Sequence, residues 1–74
     1  MRNYSVEVEG ICSYPGVAAN SPMEALMIAL RNVGYNATRK NIRPIMGGTR
    51  TQLRVCKICL LGGTKESVSY YELG

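Results

Sequence analysis

Residues 20–34 read Asn-Ser-Pro-Met-Glu-Ala-Leu-Met-Ile-Ala-Leu-Arg-Asn-Val-Gly, and this stretch decides the fold. Ser21 can cap a helix, Pro22 presets φ at the first helical position, and Glu24 completes a Ser-x-x-Glu capping box. Gly34 can take the left-handed conformation that closes a helix. The residues between these signals are almost all good helix formers. At a turn of about 100° per residue, Met23, Ala25, Leu26, Met27, Ala29, Leu30 and Val33 fall on one broad face. Glu24, Arg31 and Asn32 fall on the other, with Ile28 alone among them. The spacing predicts one amphipathic helix of about three turns, whose apolar face needs a sheet to cover.

Working outward toward the N-terminus, Tyr4-Ser5-Val6-Glu7-Val8-Glu9 alternates strictly. That is the pattern of a half-buried strand with Tyr4, Val6 and Val8 on the covered face. Gly10 interrupts it, and Ile11 to Tyr14 reads as a continuation after a bulge. Pro15-Gly16 reads as a type II turn, with Pro at the second turn position and Gly at the third. Val17-Ala18-Ala19 is then a short returning strand that delivers the chain to the helix cap.

Beyond Gly34 the periodicity is lost. Residues 35–46 hold Tyr35, Arg39, Lys40 and Arg43 before Pro44 and an Ile45-Met46 pair. Either a single helical turn capped by Thr38, which would turn Ile42 inward, or an extended crossover fits them. Gly47-Gly48 is a break. Residues 49–61 form the longest strand candidate. Its alternation changes phase, since Leu53 and Val55 share one parity and Cys56, Ile58 and Leu60 the other. A bulge near residues 55–57 would reset the faces and keep Lys57 out of the core. Gly62-Gly63-Thr64-Lys65 makes a hairpin turn, and Val68 and Tyr70 alternate with Ser67 and Ser69 in a closing strand that ends at Leu73. The expected order is β-(β)-α-β-β: an α+β domain with a three- to four-stranded antiparallel sheet and one amphipathic helix packed on one face.

Seventy-four residues make one domain, near the lower size limit for a single unstapled core. With 46% hydrophobic and 19% charged residues the composition is that of a folded globular chain rather than a disordered one. No apolar run approaches the roughly 18 residues of a membrane span. The first residues lack the apolar core of a signal peptide, so the expected location is cytoplasmic, with thiols reduced. The Asn36-Ala37-Thr38 glycosylation pattern is then incidental.

Catalytic chemistry finds little footing. The chain has no His, and all five acids are Glu, at positions 7, 9, 24, 66 and 72. General acid–base work usually needs His or a close carboxylate pair, and Glu7 and Glu9 read as the solvated face of a strand. The three cysteines, Cys12, Cys56 and Cys59, form no complete zinc set. Cys56-Lys57-Ile58-Cys59 has CxxC spacing, but positions i and i+3 of a strand face opposite ways and cannot share one metal. Gly62-Gly63-Thr64-Lys65 lacks phosphate-loop spacing and no helix follows it. Gly47-Gly48-Thr49-Arg50 could offer amides and a guanidinium to a phosphate, or simply lead into a hairpin. No enzyme, cofactor or metal is expected.

Charge distribution says more than the net +4. Between Ala25 and Lys65 there is no acid, while Arg31, Arg39, Lys40, Arg43, Arg50, Arg54, Lys57 and Lys65 all lie there. Such segregation points to an anionic partner for the middle of the chain. Tyr35, Arg39, Lys40, Arg43, Arg50, Arg54 and Lys57 are the candidate nucleic-acid-binding residues: the cations can follow a phosphate backbone and Tyr35 can stack on an unpaired base. A solvated basic loop that aids solubility is the alternative. Ile28, with Met27 and Arg31, is the candidate protein interface.

Residues 4–9, then Ala18-Ala19-Asn20-Ser21 opening Met23-Glu24-Ala25-Leu26, then Gly34 and Arg39-Lys40-Asn41-Ile42-Arg43, resemble the archaeal ribosomal protein LX family over residues 4–45. That resemblance implies a strand hairpin, a capped helix and a basic segment lying against ribosomal RNA. After Pro44 the chain departs from the family by adding a hairpin. In size and single-helix plan it is also similar to small phage-encoded inhibitors of host defence, anti-CRISPR proteins among them. The expectation is therefore a binding protein whose basic segment engages nucleic acid or the nucleic-acid groove of a nucleoprotein complex. The alternative is a phage inhibitor, acting in the host cytoplasm, that occludes a host defence protein through protein contacts.

Overall fold

A computed structural model describes residues 1–36, 38–44, 54–62 and 67–73. Five strands and one helix follow in the order β1 (Arg2–Val8), β2 (Cys12–Ala19), α1 (Pro22–Asn32), β3 (Ile42–Pro44), β4 (Arg54–Leu61) and β5 (Val68–Leu73). The strands form one sheet in the order β2-β1-β4-β5-β3, every neighbouring pair antiparallel. The α+β class and one covering helix are as expected, but the described residues form five strands rather than three or four.

The helix follows its sequence signals closely. Ser21 has extended backbone, and its Oγ accepts a hydrogen bond from the Glu24 amide at 3.1 Å. At the other end Gly34 has φ +80°. Its amide donates to the Arg31 carbonyl at 3.0 Å and the Tyr35 amide to the Leu30 carbonyl at 2.9 Å. Those two bonds are the Schellman pair, which satisfies carbonyls that the helix end would otherwise orphan. Ala25, Leu26, Ala29 and Leu30 are fully buried against β2, β1 and β4. Met23, Met27 and Ile28 are half-buried and packed against the same core, so Ile28 does not stand on a polar face. Val33 departs from the expected stripe in the other direction. It continues the core-facing azimuth, but as the C-cap residue it is 42% exposed.

Tyr4, Val6 and Val8 of β1 are 2%, 0% and 3% exposed, as strict alternation requires. The hairpin after β1 is not the expected one. The chain turns back at residues 8–11, closed by the Ile11 amide on the Val8 carbonyl at 3.0 Å, and Gly10 has φ +77°. Gly10 thus supplies the positive φ that the turn needs, rather than a bulge within one long strand. Pro15-Gly16 lies inside β2, where the register with β1 slips by one residue between the pairs Tyr4–Val17 and Val6–Tyr14. β2 is an edge strand, so a proline without an amide is tolerated at its irregularity.

The segment after the helix takes a single hydrogen-bonded turn, with the Asn41 amide on the Thr38 carbonyl at 3.0 Å. It then enters the three-residue edge strand β3, which turns Ile42 into the core at 3% exposure. β4 carries no bulge at residues 55–57. Its register runs unbroken against both neighbours, with Val8, Glu7 and Val6 opposite Cys56, Lys57 and Ile58 on one side and Tyr71, Tyr70 and Ser69 opposite them on the other. Regular alternation puts Cys56 and Ile58 inside and leaves Lys57 exposed on the opposite face. The expected glycine break at 47–48, the phosphate cradle at 47–50 and the turn residues 63–65 lie outside the described residues. Among those described, no helix is long and apolar enough to cross a membrane.

Candidate functional site: a basic turn and an open sheet face

Two surfaces emerge from this architecture. The first is the turn at residues 38–41, in which Arg39 and Lys40 occupy the two central positions and are exposed. Side chains at the centre of such a turn project from its tip, away from the core. Arg43 is exposed two residues later on β3. The three cations are therefore close in sequence at the edge of the sheet, Arg39 and Lys40 on the turn and Arg43 on the edge strand β3. Arg50 lies outside the described residues, and Arg54 is described as the first position of β4 only. Tyr35 is half-buried and packed against the core at the position that follows the helix-terminating glycine, where an apolar ring commonly closes over the last turn. Its ring is committed to that packing, which leaves less of it for stacking on a base. Met27 and Ile28 are likewise half-buried, and of the expected protein-interface trio only Arg31 is fully exposed.

The second surface is the sheet face opposite the helix. Alternation puts Asn3, Ser5 and Glu7 of β1 there, with Val55, Lys57, Cys59 and Leu61 of β4, Val68, Tyr70 and Glu72 of β5, and Arg43 of β3. Leu61, Val68 and Tyr70 are 41%, 40% and 43% exposed, and Cys59 and Val55 are half-buried beside them. Cys59 stands directly opposite Val68, and Lys57 opposite Tyr70, so these apolar side chains are contiguous across two strands. The sequence signal was the alternation of Val68 and Tyr70 with serine. Its apolar members face outward, because Tyr71 and Leu73 take the inner parity. Charges on this face come in opposed pairs: Lys57 stands across from Glu7, and Arg43 from Glu72.

The thiols divide as their parities require. Cys56 is fully buried, and desolvation, with a smaller contribution from Cys12, pushes its thiol up to about 12. A thiol so held is protonated at neutral pH and is neither a nucleophile nor a metal ligand. Desolvation also raises Cys12. Cys12 and Cys56 stand on opposite sides of Val8, so two strand spacings, about 10 Å, separate them. That span exceeds what a disulfide bridges. Cys59 lies on the other face from Cys56, so the CxxC spacing brings no two thiols together. Tyr71, on the core side of β5, is raised by desolvation and secondarily by Tyr4.

Comparison with family models, with curated proteins and with solved structures finds no match to this chain.

Proposed function

We propose that the chain is a non-enzymatic binding protein that engages nucleic acid, or the nucleic-acid groove of a nucleoprotein complex, through the basic edge formed by Arg39, Lys40 and Arg43. The observation that carries this reading is the placement of Arg39 and Lys40 at the exposed centre of a hydrogen-bonded turn, with Arg43 exposed on the strand that follows. Long cations at a turn tip can reach successive phosphates without disturbing the core, and no acid lies between Ala25 and Lys65 in the sequence, although Glu72 stands across from Arg43 on β5. The absence of His and Asp from the sequence supports a role in binding rather than catalysis.

The test is a salt titration of binding to fluorescent single-stranded and duplex oligonucleotides, for the native protein and for the Arg39→Ser, Lys40→Ser, Arg43→Ser triple variant. Each phosphate contact adds about 0.7 to 0.9 to the slope of log affinity against log salt, so the triple change should flatten that slope by about 2 to 3. The melting curve should barely move, because all three side chains are outside the core. Binding that ignores both salt and the triple change would refute this reading in favour of an inhibitor acting through protein contacts.

A further inference from the structure

Among the described residues nothing covers the sheet face opposite the helix, and the basic edge does not explain that surface. A sheet wet on one side needs apolar residues at one parity only. β1 obeys this, with Asn3, Ser5 and Glu7 outward. β4 and β5 do not, since Val55, Cys59, Leu61, Val68 and Tyr70 all face away from the helix. Exposed apolar residues gathered into one patch, rather than scattered, mark a contact surface.

We infer that this face pairs with the same face of a second copy of the chain, forming a two-fold homodimer of packed sheets. Three observations select a second copy over other occupants. The first is charge. Lys57 opposite Glu7 and Arg43 opposite Glu72 leave the face balanced, so it does not repel its own copy. An isologous contact needs such a self-compatible patch.

The second is that the sheet's edges discourage the other route to self-assembly. β2 carries Pro15 at its irregularity, and β3 is three residues long and ends in Pro44, so neither offers a long ladder of free amides to an added strand. The third is size. Five strands about 4.8 Å apart, about 20 Å long except for the three-residue β3, give a face of roughly 400 Å² per copy and about 800 Å² for the pair, the area of a weak, transient contact. A 74-residue fold with one helix gains a second covered sheet face by this contact. An area this small fits a weak, transient contact rather than an obligate one.

Sedimentation equilibrium of the full chain from about 1 µM to about 1 mM covers the range of a weak, transient contact. The expected result is a monomer–dimer equilibrium. Val68→Lys and Leu61→Lys, both at exposed positions that leave the helix-side core intact, should each weaken it about 30-fold or more, because a charge is buried twice in a two-fold contact. Circular dichroism should show both variants folded. Alkylation places the contact: Cys59 should label more slowly as protein concentration rises, while Cys12, on the helix side, should not change. A native chain that stays monomeric throughout overturns the inference. So does a dimer that survives both lysine variants, or one that leaves Cys59 labelling unchanged. Arg39 and Lys40 lie outside the face and Arg43 lies on it, so an oligonucleotide titration of the Arg39→Ser, Lys40→Ser double variant is read independently of these outcomes.

Discussion

Leu26 and Val33 lie seven residues apart, two turns along one helical face, and by spacing alone they should contribute alike to the core. The structure separates them. Leu26 is fully buried between the helix and the sheet, whereas Val33 is the C-cap residue and 42% exposed. Leu26→Ala removes three carbons, about 2.4 kcal/mol of transfer free energy at ~0.8 per methylene. The cavity left behind raises the cost to about 3–5 kcal/mol. A chain of 74 residues has a total stability of about 4–11 kcal/mol, so this one change removes about a quarter of it or more. With a urea m-value near 1 kcal/mol/M for so small a domain, the midpoint should fall by about 3 M, or the cooperative transition should vanish. Val33→Ala trims a side chain that is already 42% exposed, and replaces a β-branched residue by a better helix former. Its cost should stay within about 0.5 kcal/mol. The assay is urea denaturation followed by circular dichroism and tyrosine fluorescence, with equal m-values as the condition for comparison. Equal destabilisation by the two changes, or a Leu26→Ala cost below about 1 kcal/mol, would refute the placement of the helix on the sheet.

Three further outcomes follow from the same structure. Ser21→Ala should cost about 1 kcal/mol by orphaning the Glu24 amide, read by the same urea melts. Gly34→Ala should cost about 1–2 kcal/mol, since its φ of +80° is one that a side chain resists, again read by urea melts. The buried Cys56 thiol is raised from 9.0 to about 12, so the folded state holds a proton that the unfolded chain releases above pH 9. Its contribution is complete below pH 9 and is lost as pH rises toward about 12; the slope of stability against pH over that window should be shallower in Cys56→Val, measured by urea midpoints at successive pH values.

What could be read from the sequence was whatever local chemistry decides. The helix carries its own start and stop in Ser21, Pro22 and Gly34, and each does in the structure what its side chain or backbone freedom suggests. β1 was equally legible because one face is buried and the other wet, which writes a period of two into the residues. The misreadings share a cause: they depend on which strand lies beside which. Pro15-Gly16 has turn chemistry, but whether it turns depends on its place in the sheet, and at an edge strand it can stay extended. Gly10, a plain interruption by sequence, makes the turn instead. β3 is three residues long, and nothing local marks Ile42 as strand rather than loop; its pairing with Leu73 of β5 defines it. The basic turn was legible as a charge cluster. Its geometry was not, because the bond between Asn41 and Thr38 and the committed packing of Tyr35 belong to the folded chain.

The phase change in β4 is the most instructive of these cases. Val55 and Cys56 are adjacent apolar residues, and a strand with one wet face can bury only one of them, so a bulge was the economical expectation. The register is unbroken, and the consequence falls on the outer face instead, where Val55, Cys59 and Leu61 line up with Val68 and Tyr70 of β5. Local rules are broken where something other than the fold of the single chain is being satisfied. Here the breach is confined to two neighbouring strands and one face, it does not extend to β1, and Lys57, the one charge of β4 that could have disrupted it, stands opposite Glu7. A pattern that merely tolerated exposed apolar residues would scatter them over both hairpins. Gathering them on β4 and β5, beside opposed charges and between proline-bearing edges, is what a face that meets another sheet requires.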